Sequence, residues 1–412
     1  MLSNGLSIST SAYLHIPFCQ TRCAYCDFNT YAGLDDTMPA YVEALAAEIN
    51  GVGLSSTASE MAGPGSPFSA PLVHSIYFGG GTPSLLSTRQ VGHILAAVRR
   101  AFRLAAEPEI TLEANPGTVG LGYLEGLREA GVNRLSLGAQ SSRPSDLRLL
   151  ERAHSFPDVI HAVRAARLAG FTNLNLDLMF GLPYQSLAAW RESLSRILDL
   201  DPDHVSLYPL SLEFGTPMHA WVERGLLPGP DPDLTADMYG WACEVLKDAG
   251  FVHYEISNWA RRITPSNGGR PDTACLHNLQ YWRNLPYLGF GAGAHGFAAG
   301  RRYANVRSPR AYIRRISQGI DFDFPVSPAG VEEREIPSPS EMNETIMLGL
   351  RLLEEGVVES SFASRFGVEV GEAFRAPMER LQRDGLIRRG DGRVRLTERA
   401  YFIANQVFCM FV

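Results

Sequence analysis

Three cysteines, Cys19, Cys23 and Cys26, stand in the order C-x3-C-x2-C near the start of the chain. Cysteine binds metal as the thiolate, and sulfur donors suit iron–sulfur clusters and zinc. Electron-carrier four-iron clusters are held by four cysteines. Three thiolates on one short loop can hold such a cluster and leave its fourth iron open to a substrate or cofactor. The spacing therefore predicts chemistry at a cluster rather than simple electron storage. Zinc is the alternative, but it takes four ligands, often from paired C-x2-C knuckles. Here only one C-x2-C is present, Cys243, Cys275 and Cys409 lie far away in sequence, and His15 would have to complete a zinc site.

Positioning further groups around this loop falls to a repeated pattern. Six β-type runs, at 12–16, 73–78, 109–113, 134–137, 173–180 and 204–210, are separated by amphipathic segments near 40–49, 88–102, 121–130, 157–169 and 187–198. In the last segment Leu187, Trp190, Leu194, Ile197 and Leu198 recur at helical spacing. Strand–helix alternation predicts parallel strands with helices outside. Six units make a partial barrel whose sites collect at the C-terminal strand ends, although a doubly wound sheet gives the same alternation. Stretches 51–71, 264–272 and 327–340 are rich in turn-forming residues and read as two surface loops and a linker. Beyond them, helical periodicity at 342–353 and 373–383 precedes a hairpin turning at Gly390-Asp391-Gly392, the outline of a winged-helix-like unit.

The chain has 412 residues, enough for a large core and two domains. A net charge of −7 gives no basic nucleic-acid surface, and no apolar run is long enough to span a bilayer. The first ten residues lack the charged and apolar regions of a secretory signal. Six cysteines, three of them clustered, fit a reducing cytosol, so a cytoplasmic location is expected.

The run from Tyr13 to Phe28 (YLHIPFCQTRCAYCDF) resembles the radical S-adenosylmethionine (SAM) superfamily. More narrowly, it is similar to the branch holding anaerobic coproporphyrinogen III dehydrogenase and the HemW-like heme chaperones, and the likeness extends from about Ser11 to the C-terminus. The resemblance implies a [4Fe-4S] cluster on Cys19, Cys23 and Cys26, SAM on the open iron, and an electron donor for the cluster. It also decides for the barrel: an α/β, partial (β/α)6 TIM-like barrel over 11–255, an extension over 256–330, and a winged-helix-like domain over 331–412.

Several polar residues fall at predicted strand ends. Gly79-Gly80-Gly81-Thr82-Pro83 follows the second strand; its glycines let backbone approach a ligand closely, or simply make a tight turn. Glu113 ends the third strand, where a carboxylate can accept from ribose hydroxyls. Gln140 follows the fourth, and Arg152 carries a guanidinium suited to a carboxylate. Asp177 interrupts an apolar strand, which is costly unless it faces a polar site. Each alone reads first as structural. The resemblance implies that Gly80, Gly81, Thr82, Glu113, Gln140, Arg152 and Asp177 hold SAM, with Tyr13 and Tyr25 as aromatics beside it and Ser211 as a further candidate. Where relatives commonly carry Gly in the loop after the fifth strand, this chain has Tyr184.

Dehydrogenase and chaperone share cluster and SAM. The dehydrogenase pattern carries a further cysteine where Phe28 stands here, and a longer stretch before the loop than these 18 residues. The motif His277-Asn-Leu-Gln-Tyr-Trp282 resembles the H-N-x-x-Y-W of HemW-like proteins. An imidazole can ligate heme iron, and Tyr281 and Trp282 offer flat surfaces to a porphyrin. Asn278 can orient either. A buried structural histidine is the other reading of His277, and Cys275 and His295 are alternative ligands. The expectation is a chaperone that binds heme, cluster and SAM and passes heme to an acceptor hemoprotein of respiration. The alternative is an oxygen-independent coproporphyrinogen III dehydrogenase; a redox carrier would leave the SAM set unexplained.

Overall fold

Six parallel strands lie side by side in chain order in the computed structural model, which describes residues 9–60, 71–263, 270–319 and 322–412. They are β1 (Ser9–Ile16), β2 (Leu72–Gly80), β3 (Arg103–Ala114), β4 (Arg134–Gln140), β5 (Leu174–Phe180) and β6 (His204–Pro209). The helices between them are α1 (Met38–Glu60), α2 (Thr88–Ala101), α3 (Leu121–Ala130), α4 (Phe156–Leu168) and α5 (Leu187–Leu198). Sequential order without reversal is that of a partial (β/α)6 barrel, whereas a doubly wound sheet reverses at a switch point. The expected architecture is therefore present.

Local chemistry starts the helices where the pattern placed them. At α2, Ser87 N–H donates to Gln90 Oε1 at 2.8 Å and Gln90 N–H returns to Ser87 Oγ at 3.3 Å, a capping box. Val91, Ile94, Leu95 and Val98 then bury one stripe of α2. They meet a core built on Leu14, Phe78, Leu112, Leu137 and Leu176, all fully buried. α6 (Pro232–Asp248) packs against α5, and Trp190 of α5 donates its indole N–H to Met238 O at 2.9 Å.

Both edges of the six-stranded core are extended. Beyond β6 come the antiparallel strands β7 (Phe251–Glu255) and β8 (Asn258–Arg261), β8 lying next to β6. The short helix α7 (Leu276–Trp282) then leads to β9 (Tyr287–Phe290), which pairs in parallel with β1 on the opposite edge. Outside β9 lie β10 (His295–Ala298), β11 (Arg301–Asn305) and β12 (Gly330–Glu335), successively antiparallel. Glu48 of α1 ties this extension down. Its buried carboxylate accepts from Gly291 N (2.8 Å), Asn305 Nδ2 (2.7 Å), Tyr312 Oη (2.6 Å) and Ser327 Oγ (2.6 Å). Burial still pushes the carboxyl upward despite those four donors.

Two loop expectations fail. Residues 51–60 belong to α1, not to a surface loop. Gly51 and Gly53 serve close packing there: a Cβ on Gly51 would meet the Phe322 ring at 2.3 Å, and one on Gly53 would meet Ala101 Cβ at 2.6 Å. The linker at 327–340 contains β12, a charged, exposed edge strand with no apolar alternation to reveal it. Stretches 1–8, 61–70, 264–269 and 320–321, which take in most of the first ten residues, part of the expected insertion and most of the expected polar loop, lie outside the described residues.

The C-terminal part has its own core of Phe362, Val370, Leu381, Val394 and Val407 under α8 (Ser338–Gly349), α9 (Glu359–Phe366) and α10 (Arg375–Arg383). The expected hairpin pairs Ile387–Gly390 with Arg393–Leu396, and Asp391 and Gly392 take φ of 55° and 68° at its turn. Val357–Val358 adds a third strand.

Candidate functional site

β1 runs into the two-residue strand Phe18–Cys19, so Cys19 is delivered at the C-terminal end of the first barrel strand. The rest of the loop is held from several sides. Ala24 N–H donates to Leu150 O at 3.3 Å, Met218 N–H donates to Ala24 O at 2.9 Å, and Cys26 N–H closes a turn on Cys23 O at 3.2 Å. From β2, Gly81 and Thr82 donate backbone N–H to Ile16 O and Phe18 O, each at 2.8 Å. A Cβ on Gly81 would stand 2.6 Å from Phe18 O, so only glycine permits that approach. The Thr82 hydroxyl donates to Cys19 Sγ at 3.6 Å, and Arg152 Nη1 donates to Cys23 Sγ at 3.4 Å.

The three thiols are free and line one cavity of about 380 Å³. Burial raises the pKa of Cys19 and Cys26, so metal charge is needed to make them thiolates at neutral pH. The side chains of Arg134 and Arg152 also line this cavity, and the buried Nε of each has no hydrogen-bond partner. Two orphaned cationic donors beside three thiols fit a sulfide-rich cluster bearing an anionic ligand. Among the described residues, no three His, Cys, Asp or Glu gather tightly enough for a single metal ion. A cubane asks for something different, thiolates on separate iron corners.

Most of the predicted cofactor set converges here. Tyr25, Gly80, Gly81, Thr82, Glu113 and Gln140 line the cavity, as do Arg152, Asp177 and Ser211. Gln140 takes a left-handed backbone, φ 63°, which swings its amide over Gly138. A Cβ on Gly138 would meet Gln140 Nε2 at 2.9 Å and Arg152 Nη2 at 3.2 Å, so the two side chains lie together. Glu113 accepts from Tyr77 Oη at 2.8 Å and Gly80 N at 3.1 Å, and burial raises its pKa to about 7. Asp177 accepts from Ser136 Oγ at 3.1 Å and Asn175 Nδ2 at 2.8 Å; burial raises it too. The Ser211 hydroxyl donates to Glu213 Oε1 at 2.6 Å on the rim. Tyr184 takes a left-handed backbone, φ 63°, on the surface.

Sequence reasoning missed Arg134. It opens the apolar run of β4, where a charge ordinarily faces solvent, yet it is buried. Burial alone would lower its pKa, but the Glu109 carboxylate nearby holds the guanidinium protonated.

Tyr13 stands apart from the cysteine cavity. With Tyr281 it lines a second, adjoining cavity that shares Gly80 and Glu113 with the first. The H-N-x-x-Y-W residues on α7 likewise separate. Asn278 faces the cysteine cavity and Tyr281 the second one. Trp282 lies under Arg351 of the C-terminal part, its ring centroid 4.2 Å from the guanidinium carbon. His277 is buried between them, stacked on Tyr77 at 5.0 Å. Its Nδ1 bonds Ser75 Oγ at 3.1 Å and its Nε2 bonds Tyr281 Oη at 3.0 Å. Burial pushes the imidazole down to about 3, so it is neutral. Cys275 is fully buried, with its thiol donating to Glu109 at 3.6 Å and raised to about 12 by burial.

The radical SAM superfamily profile matches residues 13–197, and the HemN C-terminal domain profile matches residues 336–403. The heme chaperone HemW of Bacillus subtilis is 35% identical over 98% of this chain and 99% of its own length. Its namesake in Synechocystis is 38% identical over 83% and 78%, and that of Mycobacterium tuberculosis 37% over 96% and 93%. Among solved structures, coproporphyrinogen III oxidase (HemN) from Escherichia coli superposes with a TM-score of 0.77 at 21% identity, over 98% of this chain and 90% of that one. A barrel in sequential order, three thiols at the end of its first strand and full-length likeness to these relatives agree: the chain belongs to the HemW heme chaperone family within the radical SAM superfamily.

Proposed function

We propose that this protein is a heme chaperone that carries a [4Fe-4S] cluster and SAM and hands heme to an acceptor hemoprotein in a reducing compartment. The observation that carries this reading is the pair of adjoining cavities. One gathers Cys19, Cys23 and Cys26 with the cofactor set, and the other is lined by tyrosines and reached by α7. Cys19, Cys23 and Cys26 would hold the cluster, which would supply an open iron for the amino and carboxylate groups of SAM and an electron for its sulfonium. The chain's own part is to orient. Gly80 and Gly81 would lay backbone along the methionine portion, Arg152 would pair with the carboxylate, Glu113 and Asp177 would accept from ribose hydroxyls, and Tyr25 with Gln140 would close the wall. Asn278 reaches the same cavity from α7, a direct link between the heme-side motif and the cofactor side.

Anaerobic reconstitution with iron and sulfide tests the proposal. About four irons per chain are expected, and Cys23→Ala is expected to abolish the cluster spectrum. The reconstituted protein should bind heme and release it to an apo-hemoprotein. Given coproporphyrinogen III, SAM and a reductant, it should leave the porphyrinogen unchanged. Formation of protoporphyrinogen IX would replace the chaperone reading with the dehydrogenase one.

A further inference from the structure

Neither His277 nor Cys275 has a free ligand atom for heme iron. Both nitrogens of His277 are engaged, and Cys275 lines neither cavity. The second cavity, about 660 Å³, falls within the ~300–1,000 Å³ of small-molecule and cofactor pockets. Its aromatic wall is Tyr13, Tyr281 and Tyr287, the last two edge-to-face at 4.5 Å. Two histidines line it. His15 is bonded at both nitrogens, to Tyr13 Oη at 3.1 Å and Asn29 O at 2.9 Å. His295, the first residue of β10, is exposed, and neither of its nitrogens hydrogen-bonds any described residue. Its strand is tied to the barrel through Gly291 and Asn305, both donating to Glu48. Arg22 and Arg307 stand on the rim, and among the described residues neither side chain pairs with a carboxylate.

From this geometry we propose that heme sits in the tyrosine-lined cavity with His295 Nε2 or Nδ1 as the axial ligand of its iron. An imidazole on a fixed strand is a standard heme ligand. Flat rings lining the same cavity suit a porphyrin, and two guanidiniums suit its propionates. The Ser75–His277–Tyr281 chain then has a positioning role: His277 holds the Tyr281 hydroxyl toward the cavity and does not touch iron. Phenolate ligation by Tyr281 is disfavoured here, because burial raises that phenol strongly and leaves its partner His277 averse to taking the proton. This assignment rests on the heme-chaperone reading.

Heme titration of the full-length protein, followed by absorbance and electron paramagnetic resonance, separates the possibilities. Wild type is expected to bind one heme with a histidine-type spectrum. His295→Ala should shift the Soret band and weaken binding at least tenfold, with free imidazole restoring the spectrum. His295→Met should give a different ligand signature at similar occupancy. His277→Ala should weaken binding while keeping the histidine-type spectrum. Wild-type and His295→Ala spectra that superimpose would overturn the ligand assignment and leave heme binding intact. A histidine signature lost only in His277→Ala, or a phenolate signature lost in Tyr281→Phe, would overturn it in the same way. Wild type that binds no heme would instead sink the chaperone reading itself.

Discussion

Glu113 forms the wall between the two cavities, and its environment makes a pH-dependent prediction. Burial lifts its pKa to about 7 from 4.5, so the folded state holds a proton that the unfolded chain has released between those values. Its stabilising proton is fully in place below about pH 4.5 and is lost as pH rises through about 7. The ceiling is about 3 kcal/mol at 1.36 kcal/mol per pKa unit, trimmed because the carboxylate opens onto the cavity. Urea unfolding of the metal-free chain should therefore show stability falling from pH 5 to 8, and Glu113→Gln should flatten that slope. An unchanged slope would refute the assignment. Glu113, Asp177, Gln140 and Arg152 were legible in the sequence, because each is a polar residue inside or just after an apolar strand. Arg134 and Glu48 were not. A charge at a strand start or on a helix normally reaches water, and only the packing around these two shows otherwise.

At the scale of elements, the contact between β2 and the cysteine loop depends on the missing side chain of Gly81. Gly81→Ala would drive a methyl against the Phe18 carbonyl, a backbone atom that cannot rotate away. The expected cost is about 1–3 kcal/mol, as for overpacked cores, together with reduced iron content after reconstitution. Gly92, inside α2, has nothing within 4 Å of its added Cβ. Gly92→Ala should instead stabilise by about 0.5–1 kcal/mol. Thermal unfolding and iron analysis of both variants check this pair; equal effects would show that space around Gly81 is not the determinant. The same distinction explains α1. Gly51 and Gly53 looked like loop residues because glycine at a contact and glycine at a turn are the same letter.

At the scale of the whole molecule, the C-terminal part is fastened to the barrel by ion pairs. Arg283 grips Glu355 at 2.8 and 2.5 Å, and Arg302 grips Glu344 with both contacts at 2.9 Å. Arg351 reaches Glu255 of β7 at 3.3 Å while covering Trp282. Glu255 has no exposure, and burial raises its pKa. Arg351→Ala should cost about 3–5 kcal/mol by leaving that carboxylate buried and unpaired. Adding Glu255→Gln should recover much of the loss, because the amide needs no counter-charge. A double variant no more stable than Arg351→Ala alone would mean that stacking on Trp282, not charge, carries the contact.

By itself the sequence determined the cysteine triad, the strand–helix alternation and the polar residues at strand ends. These rest on spacing within a single element, which short-range periodicity records. The tertiary structure alone decided that α7 splits the H-N-x-x-Y-W residues among two cavities and an interface. It alone left His277 with no free nitrogen and, among the described residues, His295 with both. The physical reason is that a side chain's availability depends on which distant backbone and hydroxyl groups satisfy it, and chain folding brings those groups, such as Ser75 and residue 277, together across 202 positions.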